Sequence, residues 1–286
     1  MLKTRIVTAI ALIIGFFIAL FLSSKTIWMV ITLGVILTGI WEWSNLIKLT
    51  VTQKRFNILA ALLIGITFIL SLNLPINLSL YSQSNAQISF YRNLFIFGLL
   101  SIATVFWLIL VPIWLIVRKP INHKFVMAVL GQLVLLATWI ALMGLRDISP
   151  WLLISLIATV SIADSAAYFV GKRFGRHKLA PEISPGKTWE GVVGGLVAVS
   201  IYGYFLCQYL HYSLWLLLGL WLIVVLSIMG DLFESLLKRF AGIKDSSQLL
   251  PGHGGVLDRM DGLIPSLTIV LFYIYLPLFL NFKLHA

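Results

Sequence analysis

The sequence predicts an all-α polytopic membrane protein with about nine transmembrane helices, a cytoplasmic N-terminus and an active site at the cytoplasmic face. Hydrophobic residues make up 60% of the 286 residues and charged residues 11%, against about 25% charged residues in a soluble domain. The mean hydropathy of +1.02 excludes a soluble fold and intrinsic disorder. The net charge of +11 is interpreted as a membrane signal and not as a nucleic-acid-binding surface. The single cysteine, Cys207, excludes an intramolecular disulfide framework.

Nine apolar runs are each long enough to cross a bilayer core of about 30 Å, which requires roughly 20 residues per helix. They cover residues 6–22, 26–47, 56–72, 93–117, 125–143, 150–170, 190–210, 213–230 and 263–282. No cleavage site follows the first run, so it is interpreted as an uncleaved span and not as a signal peptide. Pro112 lies inside the fourth run and predicts a kink there.

The distribution of Lys and Arg predicts the orientation of these spans. With the N-terminus in the cytoplasm, 17 of the 21 basic residues fall on the cytoplasmic side, as the positive-inside rule requires. The four outside are Lys25, Arg92, Arg146 and Lys283. A single miscounted span would exchange the sides of every later loop, so this uneven distribution supports the count. We therefore expect an integral protein of the plasma (inner) membrane.

The chain divides into two regions by the positions of its ten acidic residues. Residues 1–143 contain one acid and are predicted to form a transmembrane scaffold of about five spans with an external loop at 73–92. Residues 144–286 contain the other nine acids and are predicted to form the catalytic membrane region. Seven of these nine lie in or beside two predicted cytoplasmic loops, residues 171–189 and 231–262.

Asp164 lies inside the sixth predicted span. An ionisable group in a span costs a few kcal/mol and usually marks a functional site. The alternative is an aspartate near the interface that pairs with Lys172 or Arg173.

The end of the first loop is a candidate phosphate-binding segment. Its lysine follows a Pro-Gly turn and precedes a predicted helix, so the ammonium group, nearby hydroxyls and helix N-terminal amides could hold a phosphate. The residues expected to contribute are Ser184, Gly186, Lys187 and Thr188. The loop carries five basic residues against one internal acid, which would equally fit a patch for lipid headgroups.

One face of the helix predicted over residues 231–240 carries four polar side chains. They are Asp231, Glu234, Ser235 and Lys238, while leucine and phenylalanine occupy most other positions. An amphipathic helix at a membrane surface would show the same pattern.

Asp258 and Asp261 follow a glycine-rich turn that contains His253. Their i, i+3 spacing allows both carboxylates to face one hard cation, and magnesium prefers one or two carboxylates with phosphate oxygens and water. A salt-bridge cluster around Arg259 is the alternative. Asp231 is expected at the same membrane face, so the three acids predict a metal site suited to phosphates.

These motifs together resemble those of the phosphatidate cytidylyltransferases, also called CDP-diacylglycerol synthases. The resemblance covers about residues 164–261 and includes Asp164 and the segment 184–191. Its most specific part is a 27-residue signature formed by Ser235, Lys238, Arg239, Lys244, Asp245, His253, Gly254, Gly255, Asp258, Arg259 and Asp261.

The resemblance implies that CTP and phosphatidic acid react to give CDP-diacylglycerol and pyrophosphate, a step of phospholipid biosynthesis. It also implies Mg²⁺, with or without a second cation such as K⁺, and a homodimer in the bilayer. The implied metal-site acids are Asp231, Asp258 and Asp261, and Lys238 and Arg259 join them as catalytic residues. The implied substrate-binding residues are Asp164, Ser184, Gly186, Lys187, Thr188, Ser235, Arg239, Lys244, Asp245, His253, Gly254 and Gly255. We expect His253 to bind phosphate or to shape its turn and not to transfer a proton.

Two other functions stay open on the sequence. A related CTP-dependent transferase or kinase that acts on an ether-lipid or polyprenol substrate would need the same catalytic residues. An ion or solute transporter could use Asp164 and Asp231, although the acids cluster at one membrane face and the sequence has no inverted repeat.

Overall fold

The structure is a computed structural model that describes residues 2–73, 82–249, 252 and 254–282. Its elements are α1 (Leu2–Leu22), α2 (Lys25–Leu46), α3 (Val51–Asn73), α4 (Ser82–Val105), a π-helical turn (Phe106–Leu110), α5 (Val111–Val117), α6 (Lys124–Ile148), α7 (Pro150–Phe174), β1 (Lys178–Ala180), β2 (Ser184–Thr188), α8 (Trp189–Leu210), α9 (Leu216–Ala241), α10 (Leu257–Met260) and α11 (Leu263–Phe282). Seven helices in the described part of the chain are long and apolar enough to cross a membrane. The chain is therefore a polytopic helical membrane protein.

Each of the nine predicted spans coincides with a helix of the structure. The two that are not among the seven long apolar helices lie in α1 and α11, whose apolar stretches are Ile13–Leu22 and Leu263–Pro277. The count of nine spans and the cytoplasmic N-terminus therefore stay predictions.

The fourth span is irregular next to Pro112, where the sequence predicted a kink. A π-helical turn over Phe106–Leu110 separates α4 from α5. Proline cannot donate a backbone hydrogen bond to the preceding turn, and local π-helical geometry is one way a helix accommodates such a site. The turn places Phe106 and Trp107 against Phe233 of α9, with ring centroids 5.6 and 5.5 Å from that of Phe233.

The external loop predicted at 73–92 is partly helical in the structure, and its position outside the membrane stays a prediction. α4 begins at Ser82, so residues 82–92 are helical, and residues 74–81 lie outside the described residues. The segment 82–92 contains neither Gly nor Pro, so nothing in its sequence ends the helix although its hydropathy falls.

The prediction of an all-α fold was wrong within residues 171–189. β1 and β2 pair antiparallel, with Lys178 opposite Thr188 and Ala180 opposite Ser184. The turn of this hairpin lies at residues 181–183, so Ser184–Thr188 form a strand and not the predicted Pro-Gly turn. Strands of three and five residues are too short for an alternating pattern to predict them.

α6 forms the centre of the bundle. Its residues 134–145 are buried without interruption, and α2, α4, α7 and α11 pack around it. A helix that is apolar on all sides is expected in such a position.

α7 and α8 pack along a seam of small residues that forms one side of the cavity described below. A Cβ atom at Gly191 would lie 2.8 Å from the carbonyl oxygen of Ala167, and one at Gly195 would lie 3.1 Å from that of Ala163. Two glycines four residues apart are a pattern by which membrane helices bring their backbones into close contact.

The loops form two separate sets at opposite ends of the bundle. At one end, called the Asp147 end, Lys25 pairs with Asp147. At the other, called the Asp258 end, Lys124 donates a hydrogen bond to the carbonyl oxygen of Lys48. Spans that alternate in direction place successive loops at opposite ends of the bundle, and both contacts agree with such an arrangement. Which end faces the cytoplasm stays a prediction.

Candidate active site

A cavity of about 670 Å³ lies at the Asp258 end, between α7, α8 and α9 and the β1–β2 hairpin. The charged and hydroxyl-bearing residues in its wall include Asp164, Tyr168, Lys172, Lys178, Ser184, Lys187, Thr188, Asp231, Asp258, Arg259 and Asp261. Its small and apolar residues include Ala163, Ala167, Gly186, Gly191, Val192, Gly195, Val224 and Ile228. The volume falls in the range of roughly 300–1,000 Å³ typical of ligand pockets.

Lys187 of β2 and Asp231 of α9 form an ion pair in this wall, with Nζ 2.6 Å from Oδ2. Ser235, one turn further along α9, donates a hydrogen bond of 3.2 Å to Oδ1 of Asp231. Asp164 lies on α7 within electrostatic reach of both charges, about 15 Å from the end of that helix. The structure thus brings together residues from three predicted motifs.

Asp258 joins α9 to the loop that precedes α10. Its Oδ1 accepts a hydrogen bond of 2.7 Å from Nζ of Lys238, and its Oδ2 accepts bonds from the N–H groups of Ser246 and Gly255 at 3.0 and 2.8 Å. Burial would raise the pKa of Asp258, but Lys238 and the two backbone amides together lower it to about 2. Asp258 is therefore a charged carboxylate at neutral pH.

Asp261 directly follows α10, lines the same cavity and is half-buried. Burial raises the pKa of Asp261 to about 7, and the negative charge of Asp231 acts in the same direction. The two aspartates approach because Gly230 has no side chain, since a Cβ atom there would collide with the carbonyl oxygen of Asp261. Two carboxylates that repel each other in a cavity wall form a donor set that a cation would stabilise.

The predicted three-acid metal cluster is not assembled in the described part of the chain, where no three His, Cys, Asp or Glu side chains lie close enough to hold one ion. Asp258 is bound by Lys238 and Ser246, and Asp231 is bound by Lys187 and Ser235. Asp261 differs from both because the nearby negative charge of Asp231 repels its carboxylate, and a cation would relieve that repulsion. The residues present therefore fit a magnesium ion held by two carboxylates, with phosphates and water as the other ligands.

Lys238 lies behind Asp258 and outside the described wall of the cavity. Its Nζ is 2.8 Å from Oε2 of Glu234 and 2.7 Å from Oδ1 of Asp258, and its side chain is 12% exposed. Glu234 is buried, and its Oε1 has no hydrogen-bond partner among the described residues. Glu234 shares the predicted polar face of the helix but was missing from the predicted site. The geometry gives Lys238 contact with Asp258 and not with the space of the cavity.

The four predicted substrate-binding residues of the first loop lie in the cavity wall, and their contact with a phosphate stays a prediction. Ser184, Gly186 and Lys187 line the cavity from β2, and Thr188 does so while its hydroxyl caps α8 by accepting the N–H of Gly191 at 3.1 Å. The Thr188 hydroxyl is therefore committed to the helix in this structure.

Other predicted residues have structural contacts or lie elsewhere. Arg239 donates a hydrogen bond of 3.1 Å to the carbonyl oxygen of Ile183 and so holds the turn of the hairpin. Lys244 and Asp245 are exposed in the loop after α9, and these three residues lie outside the described wall. His253 lies outside the described residues, so its predicted role stays a prediction.

Gly254 and Gly255 shape the loop around Asp258. Gly254 has a φ of +77°, a left-handed conformation that favours glycine, and the N–H of Gly255 donates to Asp258. In the structure these two residues contact the carboxylate of Asp258, and their predicted contact with substrate stays a prediction.

Sequence reasoning also assigned Glu42 to the scaffold, although this acid of α2 contacts the loop before α10. The available signal was that Glu42 is the single acid among the first 143 residues and ends an apolar span.

The fold and the cavity define an integral membrane protein with a polar site at one end of its bundle. The sequence profile of the cytidylyltransferase family matches residues 3–279, and the chain belongs to this family. The match includes the N-terminal helices and is not limited to the motif region.

Two relatives match almost the whole chain. The phosphatidate cytidylyltransferase of Haemophilus influenzae is 34% identical over an alignment of 305 residues, which covers 97% of this chain and 100% of the relative. That of Pseudomonas aeruginosa is 35% identical over 279 residues, which cover 94% of this chain and 95% of the relative. A phosphatidate cytidylyltransferase of Staphylococcus aureus is 46% identical over 118 residues, 39% of this chain and 45% of the relative.

Proposed function

We propose that this chain transfers the cytidylyl group of CTP to phosphatidic acid, which yields CDP-diacylglycerol and pyrophosphate. The observation that carries the proposal is the Lys187–Asp231 pair in a cavity whose wall also includes apolar residues of α7, α8 and α9. A lipid phosphate needs both kinds of surface, because its headgroup is charged and its chains stay in the bilayer. The names of two relatives that match nearly the full length support the same reaction.

In this reaction a phosphate oxygen of the lipid attacks the α-phosphorus of CTP. The bond between that phosphorus and the oxygen that bridges to the β-phosphate breaks, and pyrophosphate leaves with the electron pair. Phosphatidate is already ionised at neutral pH, so a general base is not required. The protein mainly has to position two anions and reduce their repulsion.

Lysines and arginine in the cavity wall supply positive charge for this task. Lys172, Lys178, Lys187 and Arg259 all line the cavity. Lys187 is paired with Asp231, and both side chains are partly exposed, at 23% and 34%. A phosphate entering the cavity can therefore reach Lys187 without opening a buried pair.

We also propose that Asp231 and Asp261 hold Mg²⁺. A bound magnesium ion would neutralise charge on the triphosphate. Asp258 as a third ligand stays a prediction, because its carboxylate would have to give up Lys238 or Ser246. A second cation such as K⁺ and the homodimer also stay predictions from the family resemblance.

We propose that the Asp258 end faces the cytoplasm across the inner membrane. The uneven distribution of Lys and Arg supports this orientation. CTP is a cytosolic metabolite, so the proposed reaction requires the same orientation.

The test uses purified protein in lipid nanodiscs with magnesium, phosphatidic acid and CTP labelled at either the α- or the γ-phosphorus. The proposal expects α-label in the chloroform-soluble product and γ-label in pyrophosphate. Transfer of γ-label to a lipid would instead identify a kinase. Parallel reactions with an ether-linked phosphatidate and with polyprenol substrates measure lipid selectivity. If no lipid phosphate acquires α-label, the proposal is wrong.

A further inference from the structure

Glu42 is a buried carboxylate that binds a loop far away in the sequence. It lies near the end of α2 and its solvent exposure is 0%. Its Oε1 accepts a hydrogen bond of 2.9 Å from the N–H of Val256, and its Oε2 accepts one of 2.7 Å from the N–H of Leu257. The hydroxyl of Ser247 donates to Oε1 at 2.6 Å. Burying a carboxylate costs free energy unless hydrogen bonds replace its contacts with water. The three donors supply these hydrogen bonds and so keep Glu42 in this position.

The two amides that Glu42 binds begin the short helix of the active site. Leu257 is the first residue of α10, which also carries Asp258 and Arg259, both in the cavity wall. The first N–H groups of a helix lack partners within the helix, and Glu42 supplies an acceptor from a different part of the chain. The negative charge of Glu42 is also stabilised by the partial positive charge at the N-terminal end of the helix.

Asp258 holds the same loop from the opposite side. It accepts the N–H groups of Ser246 and Gly255, while the Ser246 hydroxyl lies 3.0 Å from Asp258 and 3.2 Å from Glu42. Gly255 fits between the two acids, because a Cβ atom there would collide with Ser246 and Glu42. The described parts of this loop, residues 246–249 and 254–257, are thus held between one carboxylate of the scaffold and one of the site.

We propose that Glu42 is a positioning residue for cytidylyl transfer. Its hydrogen bonds to the N–H groups of Val256 and Leu257 fix the positions of Asp258 and Arg259 relative to the cavity. Glu42 lies outside the described cavity wall, so it acts through the loop and not on the substrate. The activity measurement rests on the proposed function, whereas the loop measurement does not.

The first variant is Glu42→Gln, which keeps the shape of the side chain. Its NH₂ group replaces one acceptor oxygen and faces a donor, either a backbone N–H or the Ser247 hydroxyl. We expect kcat to fall about 10²-fold, as a misplacement of about 1 Å can cause, with little change in the KM for CTP. We also expect faster hydrogen exchange at residues 246–249 and 254–257, with α2 and α6 still protected.

The matched control is Ser44→Ala. Ser44 is buried on the same helix and contacts the carbonyl oxygen of Ile40 and the side chain of Asn57. We expect this variant to keep kcat within threefold and to leave the loop protected.

Two further variants keep the test decisive if Glu42→Gln does not insert. Ser247→Ala removes one donor and no charge, and is expected to lower kcat about fivefold, which corresponds to about 1 kcal/mol. Gly255→Ala leaves Glu42 unchanged but places a methyl group against Ser246 and Glu42, so it should also lower kcat and speed exchange in the loop.

Three results would overturn the proposal. The first is that Glu42→Gln and Ser247→Ala both keep the wild-type kcat. The second is that Ser44→Ala lowers kcat as much as Glu42→Gln does. The third is that Glu42→Gln lowers kcat while hydrogen exchange in the loop stays at the wild-type rate. If the wild-type protein forms no CDP-diacylglycerol, the proposed function fails. The exchange measurement still tests whether Glu42 holds the loop.

Discussion

Two lysine–aspartate pairs of nearly equal length lie at opposite ends of the bundle in different surroundings. Lys25 Nζ is 2.6 Å from Asp147 Oδ2, and the two side chains are 55% and 40% exposed. Lys238 Nζ is 2.7 Å from Asp258 Oδ1, and these side chains are 12% and 10% exposed. Water screens the first pair, which is worth about 1 kcal/mol at most. Removing one partner of a buried pair leaves an uncompensated charge and costs about 3–5 kcal/mol. Burial, not distance, therefore separates the expected energies of the two pairs.

The largest contrast is expected between Asp261→Asn and Asp147→Asn. If Asp261 holds the metal, its variant should lose about 10³-fold in kcat/KM, or about 4 kcal/mol, because an amide does not supply the charge that binds magnesium. Asp147→Asn should stay within twofold. Incorporation of α-labelled CTP into lipid at saturating magnesium measures both. Near wild-type turnover of Asp261→Asn would remove this residue from the metal site.

The next contrast concerns Asp258→Asn, which breaks the buried pair with Lys238. Lys238 keeps its contact with Glu234, so we expect a loss of about 1.5–3 kcal/mol in stability together with a large loss of activity. The magnesium concentration for half-maximal rate separates its two possible roles. An unchanged magnesium requirement indicates a residue that orients the loop, whereas a strongly raised one indicates a metal ligand.

The pH dependence of stability sharpens the same comparison. The pKa of Asp258 is about 2 in the folded protein, below the ordinary value of 3.8, so its charged form stabilises the fold above about pH 4. This contribution is lost as the pH falls through about 2. The difference in Tm between wild type and Asp258→Asn should therefore be constant from neutral pH to about pH 4 and shrink below it. A difference that already vanishes at pH 6 would contradict the assignment.

Lys187→Ala and Lys25→Ala each remove the lysine of an ion pair, one from each end. If Lys187 binds a substrate phosphate, its loss should raise the KM for CTP or phosphatidate about tenfold or more, the equivalent of one charge-assisted hydrogen bond. Lys25→Ala should leave both constants unchanged. Equal effects of the two substitutions would assign Lys187 to membrane orientation alone.

The smallest functional effect is expected from variants that only report orientation. In a Cys207→Ala background, Lys25→Cys and Glu182→Cys place one thiol at each end of the bundle, and both variants should retain activity. A membrane-impermeant maleimide should label Lys25→Cys in intact cells and Glu182→Cys only after permeabilisation. The reverse pattern would invert the predicted topology. A reporter fused after Ala286 should likewise behave as external.

The sequence predicts the helices well because each span is a local property of about 20 residues. It also locates the cavity, because acids are rare in this chain and three of the predicted motifs, containing Asp164, Lys187 and Asp231, meet in the structure. The hairpin at 178–188 was missed because β1 has only three residues and β2 contains Pro185 and Gly186, which indicate a turn.

The contacts of the acids could not be predicted in the same way. Asp258 and Asp261 have the spacing of a shared metal site, yet one faces Lys238 and Ser246 and the other faces Asp231. Sequence spacing gives the face of a helix but not the neighbours that other segments bring to it. Glu42 shows this most clearly, since its partners lie 204 to 215 residues further along the chain.

The contact between Glu42 and residues 246–257 also has a consequence for biosynthesis. α2 leaves the ribosome more than 200 residues before its partner loop does, a delay of roughly 10–40 s at about 5–20 residues per second. During that time a carboxylate at the end of an apolar helix has none of its final hydrogen-bond donors. The contact that holds α10 therefore cannot form on a nascent chain that stops before residue 256, and a product truncated there leaves the Glu42 carboxylate without the Val256 and Leu257 donors.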